Sequence, residues 1–358
     1  MMKIVLTGGG TAGHVTPNLA LIPLLKEQGY SIHYIGSKTG MEKKLVEDAG
    51  IPYKGISSGK LRRYFDIKNF SDPFRVLKGI GEARRALKAL RPDVVFSKGG
   101  FVSVPVVLAA HHLHIPVVLH ESDMSPGLAN KICIPYCVRI CCNFPETTAS
   151  LPTGKAVVTG CPIRRELTEG SRDAGLAMTG FSGSRPILMV MGGSLGSVCV
   201  NNAVRSILPE LTKTFDVIHL CGKKNLAPEL EGTPGYVQYE YISEELKDLF
   251  AASDCMISRA GANAICELVA MRKPNVLIPL SAAASRGDQL LNAESFRKQG
   301  FSEVLQEEEL VGDALLVAVQ KVWADKEKYI NAMDSSPLRN GAEAVVDVIN
   351  VVAGSAAR

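Results

Sequence analysis

Short apolar runs alternate with longer stretches of helical periodicity along most of the chain. In the first half, runs that predict buried strands occur at 3–7, 31–35, 94–97, 117–120 and 157–159. After an interval at 162–185 the rhythm starts again, with predicted strands at 187–190, 217–221, 255–257 and 275–279. Such an alternation predicts parallel sheets covered by helices on both faces. Because 358 residues exceed one ordinary core, the pattern indicates an α/β protein with two domains.

Composition and charge narrow the class of protein. The chain is 46% hydrophobic and 21% charged, which is typical of a globular protein. A formal net charge of +4 is too small to indicate nucleic acid, so we expect no nucleic-acid partner. The N-terminal apolar run is too short for a signal peptide, and the most apolar region, 102–119, is interrupted by prolines and histidines. We therefore expect no membrane-spanning segment.

The nine cysteines do not form a metal or disulfide pattern. Cys133, Cys137, Cys141 and Cys142 cluster, but no matching C-x-x-C or histidine pair follows. The others lie within apolar runs, so all are expected to be reduced core thiols of a cytosolic protein.

Glycine-rich turns follow several predicted strands, at 8–13, 97–100, 191–196 and 258–261. Such turns leave the first N–H groups of the next helix uncovered, and these groups together with the helix dipole attract phosphate. The first turn, Gly8-x-Gly10-x-x-Gly13, also matches the dinucleotide fingerprint. Lys38 at the end of the second strand could meet a 2′-phosphate, so an NADP-dependent oxidoreductase is one alternative.

The second half carries side chains suited to a nucleotide sugar. Glu267 lies on the second turn of a predicted helix that starts at Ala262, and a carboxylate can accept hydrogen bonds from both ribose hydroxyls. The Ser194 hydroxyl could donate to a phosphate, Arg164 could reach a leaving phosphate, and the Gln289 amide suits sugar hydroxyls. No Asp-x-Asp pair occurs, so a metal clamp on a diphosphate is not expected.

Histidine is the usual general base near neutral pH, and His14 directly follows the first glycine turn. We take His14 as the candidate base; the alternative is a structural histidine that bonds a neighbouring carbonyl.

Basic and aromatic residues are interleaved in the segment at about 60–91. This pattern predicts docking on an anionic membrane surface. The alternative is a solvated basic helix with its apolar side in the core. Gly79 and Gly81 weaken a continuous helix, which counts against the membrane interpretation.

Taken together, the motifs resemble those of the MurG-type N-acetylglucosaminyltransferases of peptidoglycan synthesis, over essentially the whole chain. The residues that carry the resemblance are 8–14, 99–103, 120–121, 127–131, 160–164, 192–194, 258–267 and 288–293. The resemblance implies a GT-B fold with two Rossmann-like domains facing across a cleft. It implies residues 1–163 as the acceptor- and membrane-facing domain, completed by a helix at about 337–358, and residues 164–336 as the UDP-GlcNAc-binding domain.

The implied reaction is inverting, metal-independent transfer of GlcNAc from UDP-GlcNAc to the 4-hydroxyl of MurNAc in an undecaprenyl-diphosphoryl-MurNAc-pentapeptide, without a cofactor. The protein would act as a peripheral enzyme at the cytoplasmic face of the cell membrane. The implied catalytic residue is His14. Implied donor contacts are Thr11, Ala12, Gly13, Arg164, Ser194, Ile242, Ala262, Asn263, Ala264, Glu267 and Gln289, the first three lying in a loop that also faces the acceptor side. Implied acceptor contacts are Gly99, Gly100 and Asn130.

Two positions depart from the family pattern. Asp123 stands where an asparagine is frequent, which favours Asn130 over Asp123 as a contact, and Ala12 replaces a frequent glycine. Alternatives to the implied activity are a glycolipid glycosyltransferase or a UDP-GlcNAc epimerase of the same fold, the oxidoreductase above, and a non-catalytic nucleotide-binding regulator.

Overall fold

The computed structural model describes residues 2–59, 72–193, 196–282, 287–336, 338 and 341–356. The chain forms two compact units. The N-terminal unit comprises Met1–Arg164 with Asn340–Arg358, and the C-terminal unit comprises Arg165–Arg339. The chain thus leaves the first unit after Arg164 and returns to it near its end.

Strands and helices alternate through both units. The strands are β1 (Lys3–Thr7), β2 (Ser31–Ser37), β3 (Tyr53–Ile56), β4 (Val94–Ser97), β5 (Val117–Glu121), β6 (Arg139–Cys142), β7 (Ala156–Val158), β8 (Ile187–Met191), β9 (Asp216–Leu220), β10 (Tyr236–Tyr239), β11 (Cys255–Ser258), β12 (Asn275–Leu277) and β13 (Glu303–Val304). The α-helices are α1 (Thr16–Glu27), α2 (Met41–Asp48), α3 (Asp72–Leu90), α4 (Ser103–His112), α5 (Leu128–Cys133), α6 (Arg172–Thr179), α7 (Val198–Ser206), α8 (Leu208–Thr214), α9 (Leu246–Ala252), α10 (Ala262–Ala270), α11 (Asp288–Lys298), α12 (Ala314–Ala324), α13 (Lys326–Asp334) and α14 (Gly341–Ala356).

Each unit contains one parallel sheet. The N-terminal sheet has the order β3-β2-β1-β4-β5-β6-β7, and the C-terminal sheet has the order β10-β9-β8-β11-β12-β13. In both, the strand order reverses beside the first strand, between β1 and β4 and between β8 and β11. Parallel sheets of this kind bind ligands at the carboxyl edge of the strands, at the reversal. The predicted α/β architecture with two parallel sheets is confirmed.

The central strands follow from their apolar runs. Every residue of β4, β5 and β11 is buried, as expected for strands covered by helices on both faces. Four strands were not predicted: β3, β6, β10 and β13. Three of them lie at sheet edges, where one side of the strand has no neighbour and the sequence can be short and polar.

The final helix packs in the core of the N-terminal unit. On α14, Val345, Val346 and Ile349 belong to the same buried cluster as Leu21 and Leu25 of α1. Their spacing places them on one helix face, which is the stripe of alanine and valine visible in the sequence. The α14 helix is therefore part of the same core as β1 and α1.

Helix α3 is continuous, so the expectation that two glycines would weaken it was wrong. Gly79 is buried, and a Cβ there would lie 2.1 Å from the carbonyl oxygen of Ser57. Glycine at this position allows the helix to pack closely, which compensates for its low helix propensity. Residues 60–71 of the basic-aromatic segment lie outside the described residues.

All nine cysteines are free, and eight are buried as predicted. Cys199 is exposed, which corrects the expectation for that residue. It lies in the first turn of α7, whose buried residues are Val200, Asn201 and Val204, so the apolar run around it follows a helix with one exposed side. Among the described residues, no helix is long and apolar enough to cross a bilayer.

Candidate active site

The first two glycine turns lie side by side at the reversal in the N-terminal sheet. Thr7 pairs with Ser97, so the chain leaves β1 and β4 at the same edge. Gly100 has a φ of +84°, and a Cβ there would lie 2.3 Å from the carbonyl oxygen of Gly9. Both the backbone angle and this close approach require glycine. The structure therefore brings Gly99 and Gly100 to the loop that contains Thr11, Ala12 and Gly13.

A buried carboxylate that was not singled out in the sequence lies beneath the first glycine turn. Glu42, in the first turn of α2, accepts hydrogen bonds from the N–H of Gly10 at 3.3 Å and from the N–H of Ser37 at 3.0 Å. Its carboxyl group would lie 2.6 Å from a Cβ at Gly9. An acidic residue in the first turn of a helix is common, so no feature of the sequence marked this role.

Glu42 and Lys38 weaken the dinucleotide interpretation of the first turn. The Gly10 N–H already donates to a carboxylate, whose charge repels a phosphate at the same place. Lys38, which could have met a 2′-phosphate, instead forms an ion pair with Glu82 at 2.8 Å. A pyrophosphate at this turn would have to displace one anion, and the cation that the NADP interpretation assigned to the 2′-phosphate is already paired with Glu82.

His14 ends a short 3₁₀ turn, Ala12–His14, that directly follows the glycines. Its Nδ1 lies 3.1 Å from the hydroxyl of Thr11. Burial lowers the pKa of His14 to about 4, and the Lys98 ammonium acts in the same direction, opposed by a hydrogen bond with Gly9 and by the Glu42 carboxylate. The imidazole is therefore neutral near pH 7, which is the form that can accept a proton.

Lys98 and His120 are buried behind the two turns. The Lys98 ammonium, 1% exposed, donates to the hydroxyl of Ser122. His120 lies with Nε2 2.9 Å from the carbonyl oxygen of Gly160. Burial, helped by the charge of Lys98, lowers the pKa of His120 well below its ordinary value. His120 is thus a neutral histidine that donates to a carbonyl, which is a structural role.

Asn130 reaches the second glycine turn from α5. Its Nδ2 donates to Glu121 at 2.8 Å, and Glu121 also accepts from the N–H groups of Asp123 and Gly127. The Oδ1 of Asn130 is buried without a partner among the described residues, and a Cβ at Gly99 would lie 2.8 Å from it. Asn130 therefore carries a free acceptor beside Gly99, whereas Asp123 shapes the loop through its backbone.

The second reversal carries the residues expected to bind the donor. Met191 pairs with Ser258, so the third glycine turn and the turn before α10 leave the C-terminal sheet together. The N-cap residue of helix α10 is Gly261, so no side chain hydrogen-bonds to the first N–H groups from that position. A Cβ at Gly261 would meet nothing within 4 Å. The helix start thus borders open space, where its N–H groups and dipole favour an anion.

Three of the expected donor contacts share one face of α10. Ala262 is buried, whereas Asn263, Ala264 and Glu267 are half-buried. Residues three and four apart lie on the same side of a helix, so Glu267 lies one turn from Asn263 and Ala264. The carboxylate and the helix start are therefore aligned for a ligand that places a diphosphate at the first turn and a sugar at the second.

The other expected donor contacts are more dispersed. Gln289, in the first turn of α11, accepts from the N–H of Leu280 at 3.0 Å through Oε1, which leaves its amide N–H groups for another acceptor. Ile242 is half-buried in the segment after β10. Arg164 is the last residue of the N-terminal unit, and its Nε is buried without a partner among the described residues. Ser194 lies outside the described residues.

Comparisons with known proteins place this chain in a family. The model of the glycosyltransferase family 28 N-terminal domain matches residues 4–142, and that of the family 28 C-terminal domain matches residues 187–349. The chain belongs to glycosyltransferase family 28. It is therefore a glycosyltransferase. The C-terminal match contains the whole second sheet, and the N-terminal match covers the first sheet except Lys3 of β1 and all of β7.

Close relatives of this family 28 chain carry one name. A protein of Lachnospira eligens named UDP-N-acetylglucosamine–N-acetylmuramyl-(pentapeptide) pyrophosphoryl-undecaprenol N-acetylglucosamine transferase is 63% identical over 349 residues, covering 98% of this chain and 99% of that protein. A protein of Lachnoclostridium phytofermentans with the same name is 61% identical over 352 residues, with coverage of 98% and 99%.

The fold also matches that of a solved structure named MurG. The crystal structure of Acinetobacter baumannii MurG matches with a TM-score of 0.77 and 26% identity, over 98% of this chain and 100% of that one. The expected GT-B fold, with two Rossmann-like parallel-sheet units, is confirmed.

Proposed function

We propose that this enzyme transfers GlcNAc from UDP-GlcNAc to the 4-hydroxyl of MurNAc in undecaprenyl-diphosphoryl-MurNAc-pentapeptide, with inversion and without a metal ion. The observation that carries the proposal is 63% identity, over 98% of the chain, to a relative with this name. The start of α10, which borders open space at Gly261, supports it together with Glu267 one turn further along, because this arrangement suits a nucleoside diphosphate.

In this proposal the C-terminal unit supplies most contacts with the donor, and Arg164 is the last residue of the N-terminal unit. The α10 start at Ala262, Asn263 and Ala264 meets the diphosphate, together with Ser194 and Arg164. Glu267 accepts hydrogen bonds from the ribose hydroxyls, the backbone at Ile242 meets the uracil, and an amide N–H of Gln289 donates to the sugar. Helix-terminal N–H groups and side-chain donors would stabilise the charge that develops on the leaving UDP.

The N-terminal unit binds the acceptor and carries the base. Gly99, Gly100, Asn130 and the loop at Thr11–Gly13 line the acceptor side. Neutral His14 removes the proton of the 4-hydroxyl as its oxygen attacks the anomeric carbon of GlcNAc. The bond from that carbon to the UDP oxygen breaks, UDP leaves with the electron pair, and the anomeric configuration inverts.

The transfer itself is tested with radiolabelled UDP-GlcNAc, the lipid-linked acceptor and a soluble MurNAc-peptide lacking the lipid. We expect label in the lipid product with a β-linkage, and an unchanged rate after treatment with EDTA. Formation of an epimerised nucleotide sugar without acceptor would support an epimerase, and label in another glycolipid alone would support a different acceptor. NADPH binding without UDP binding would contradict every sugar-nucleotide function.

We also propose that helix α3 docks this enzyme on the cytoplasmic face of the membrane. Phe74 and Leu77 lie on one side of the helix and are 74% and 65% exposed. The same helix carries Arg75, Lys78, Arg84, Arg85 and Lys88. Of its two acidic residues, Glu82 is paired with Lys38. Exposed apolar side chains among cations suit an anionic lipid surface.

Replacing Phe74 and Leu77 together by serine is expected to reduce binding to phosphatidylglycerol vesicles by about 100-fold. Burial of such side chains contributes about 1.5–3 kcal/mol each, and the pair only partly enters the interface. Vesicle sedimentation measures the change. Val317→Ser on α12 is the matched control, because Val317 is also exposed, at 60%, but lies in the C-terminal unit. Equal binding of both variants would contradict the proposal.

A further inference from the structure

The guanidinium of Arg259 is buried at the reversal of the C-terminal sheet and is bonded on several sides. Arg259 is 8% exposed and lies in the turn between β11 and α10. Its Nη1 donates to the carbonyl oxygens of Ile278 at 3.1 Å and Pro279 at 3.3 Å. Its Nη2 donates to the hydroxyl of Ser197 at 2.6 Å and to Glu307 Oε1 at 2.5 Å.

These partners belong to segments that follow different strands. Ser197 is the N-cap of α7, directly after the third glycine turn. Ile278 and Pro279 follow β12, and Glu307 follows β13. One side chain thus connects the turn before α10 with the segments after β8, β12 and β13.

Glu307 extends the connection to Gln289. Its second oxygen accepts from the N–H of Ser281 at 3.0 Å, and the neighbouring N–H of Leu280 donates to Gln289 Oε1 at 3.0 Å. The segment that the ion pair holds is therefore the one that orients the Gln289 amide. The side chains of Arg259 and Glu307 are only 10% and 15% exposed, so water competes little for these bonds.

Stability alone does not account for this pair. Burying two charges costs desolvation free energy that an ion pair only partly recovers, and well-packed apolar residues of similar volume are often as stabilising. A planar guanidinium with a fixed set of donors instead specifies geometry. The four bonds also occupy the terminal nitrogens of Arg259, which leaves little for direct contact with a ligand.

We propose that Arg259 and Glu307 form a positioning pair for the donor site, which holds Ser197 at the start of α7, the start of α10 and the segment that bonds Gln289 in the arrangement that binds the UDP-sugar. Neither residue is assigned a contact with substrate. The inference rests on the proposed function, since it assumes that the C-terminal unit binds UDP-GlcNAc.

The test compares three variants by UDP titration calorimetry, KM for each substrate and thermal unfolding. Arg259→Lys keeps the positive charge but cannot make the same set of bonds, so we expect UDP affinity and the affinity for UDP-GlcNAc to fall at least tenfold. The double variant Arg259→Met with Glu307→Leu replaces the pair by apolar side chains. We expect it to keep a cooperative unfolding transition, at a lower temperature because the carbonyls of Ile278 and Pro279 and the N–H of Ser281 lose their partners. It should lose UDP affinity to the same extent as Arg259→Lys. KM for the lipid acceptor should stay within twofold in both.

Glu307→Gln is the third variant, and it tests the ion pair even if the double variant does not fold. It removes the charge but keeps the volume, and about a tenfold loss of UDP affinity is expected. Glu308→Gln, at the exposed neighbouring position, is the control and should bind UDP like the wild type.

Wild-type UDP affinity in Arg259→Lys, or in a folded double variant, would overturn the positioning role. An equal change in KM for both substrates would also overturn it, because it would indicate a general loss of structure. Failure of the proposed function can be told apart from failure of the positioning role. If the wild type binds UDP but transfers no GlcNAc, the proposed function fails and the UDP affinities of the variants still test the positioning role. If the wild type binds no UDP, both proposals are overturned.

Discussion

Replacing Glu267 by alanine is expected to weaken UDP binding by about 10- to 100-fold. A hydrogen bond to a charged group contributes about 1.5–3 kcal/mol, and each 1.4 kcal/mol corresponds to a tenfold change in affinity. The proposed partner is the pair of ribose hydroxyls, so the loss should appear in the affinity for UDP itself. Titration calorimetry measures it without any transfer reaction.

A 2′,3′-dideoxy analogue of UDP makes this experiment specific for the ribose. The analogue should bind the wild type about as weakly as UDP binds Glu267→Ala. The variant should no longer distinguish the two ligands, because each change removes the same hydrogen bonds. Glu267→Gln keeps one acceptor and should fall between. Two results would show that Glu267 does not contact the ribose. One is that the affinity losses caused by the variant and by the analogue add up, and the other is an unchanged UDP affinity in Glu267→Ala.

Replacing His14 by alanine or glutamine is expected to lower kcat by about 10²- to 10⁴-fold, the usual contribution of a general base. Glutamine can form hydrogen bonds but cannot accept the proton, so it should be as inactive as alanine. UDP affinity should not change, because His14 is not among the proposed contacts with UDP. Single-turnover transfer and UDP titration separate these two effects.

The pH dependence identifies the base. His14 has its pKa lowered to about 4 by burial and by Lys98, so the neutral form that accepts a proton is present above that pH and is lost as the pH falls through about 4. In the wild type the acid limb of kcat/KM should therefore lie near pH 4. Lys98→Met removes a positive charge and should move the limb to higher pH. An acid limb that is identical in wild type and His14→Gln would assign the base to another group.

How much of the fold could be predicted depended on burial. Strands such as β4 and β11 are buried at every residue, so their apolar runs were visible in the sequence. The edge strand β3, Tyr53–Ile56, has only its last residue buried and gives no such run. Its place in the sheet is decided by pairing with β2, which brings Gly36 opposite Gly55.

The candidate site divides in the same way. Glycine turns and the α10 motif are local, because their conformation depends on residues a few positions apart, and the sequence predicted where they would lie. Glu42 beneath the first turn was missed, since an acidic residue in a first helical turn is ordinary. Glu307 was missed because its partner Arg259 lies 48 residues away in the sequence, a separation that no local pattern encodes.

The sequence by itself determined the alternation of strands and helices, the glycine turns at the strand ends and the family to which the enzyme belongs. The tertiary structure decided which turns lie side by side, how burial and then Lys98 lower the pKa of His14, and which carboxylates hold the loops. The physical reason is the range of the interactions. Backbone preferences and apolar periodicity act between residues close in sequence, whereas desolvation and buried hydrogen bonds depend on neighbours that only the folded chain brings together.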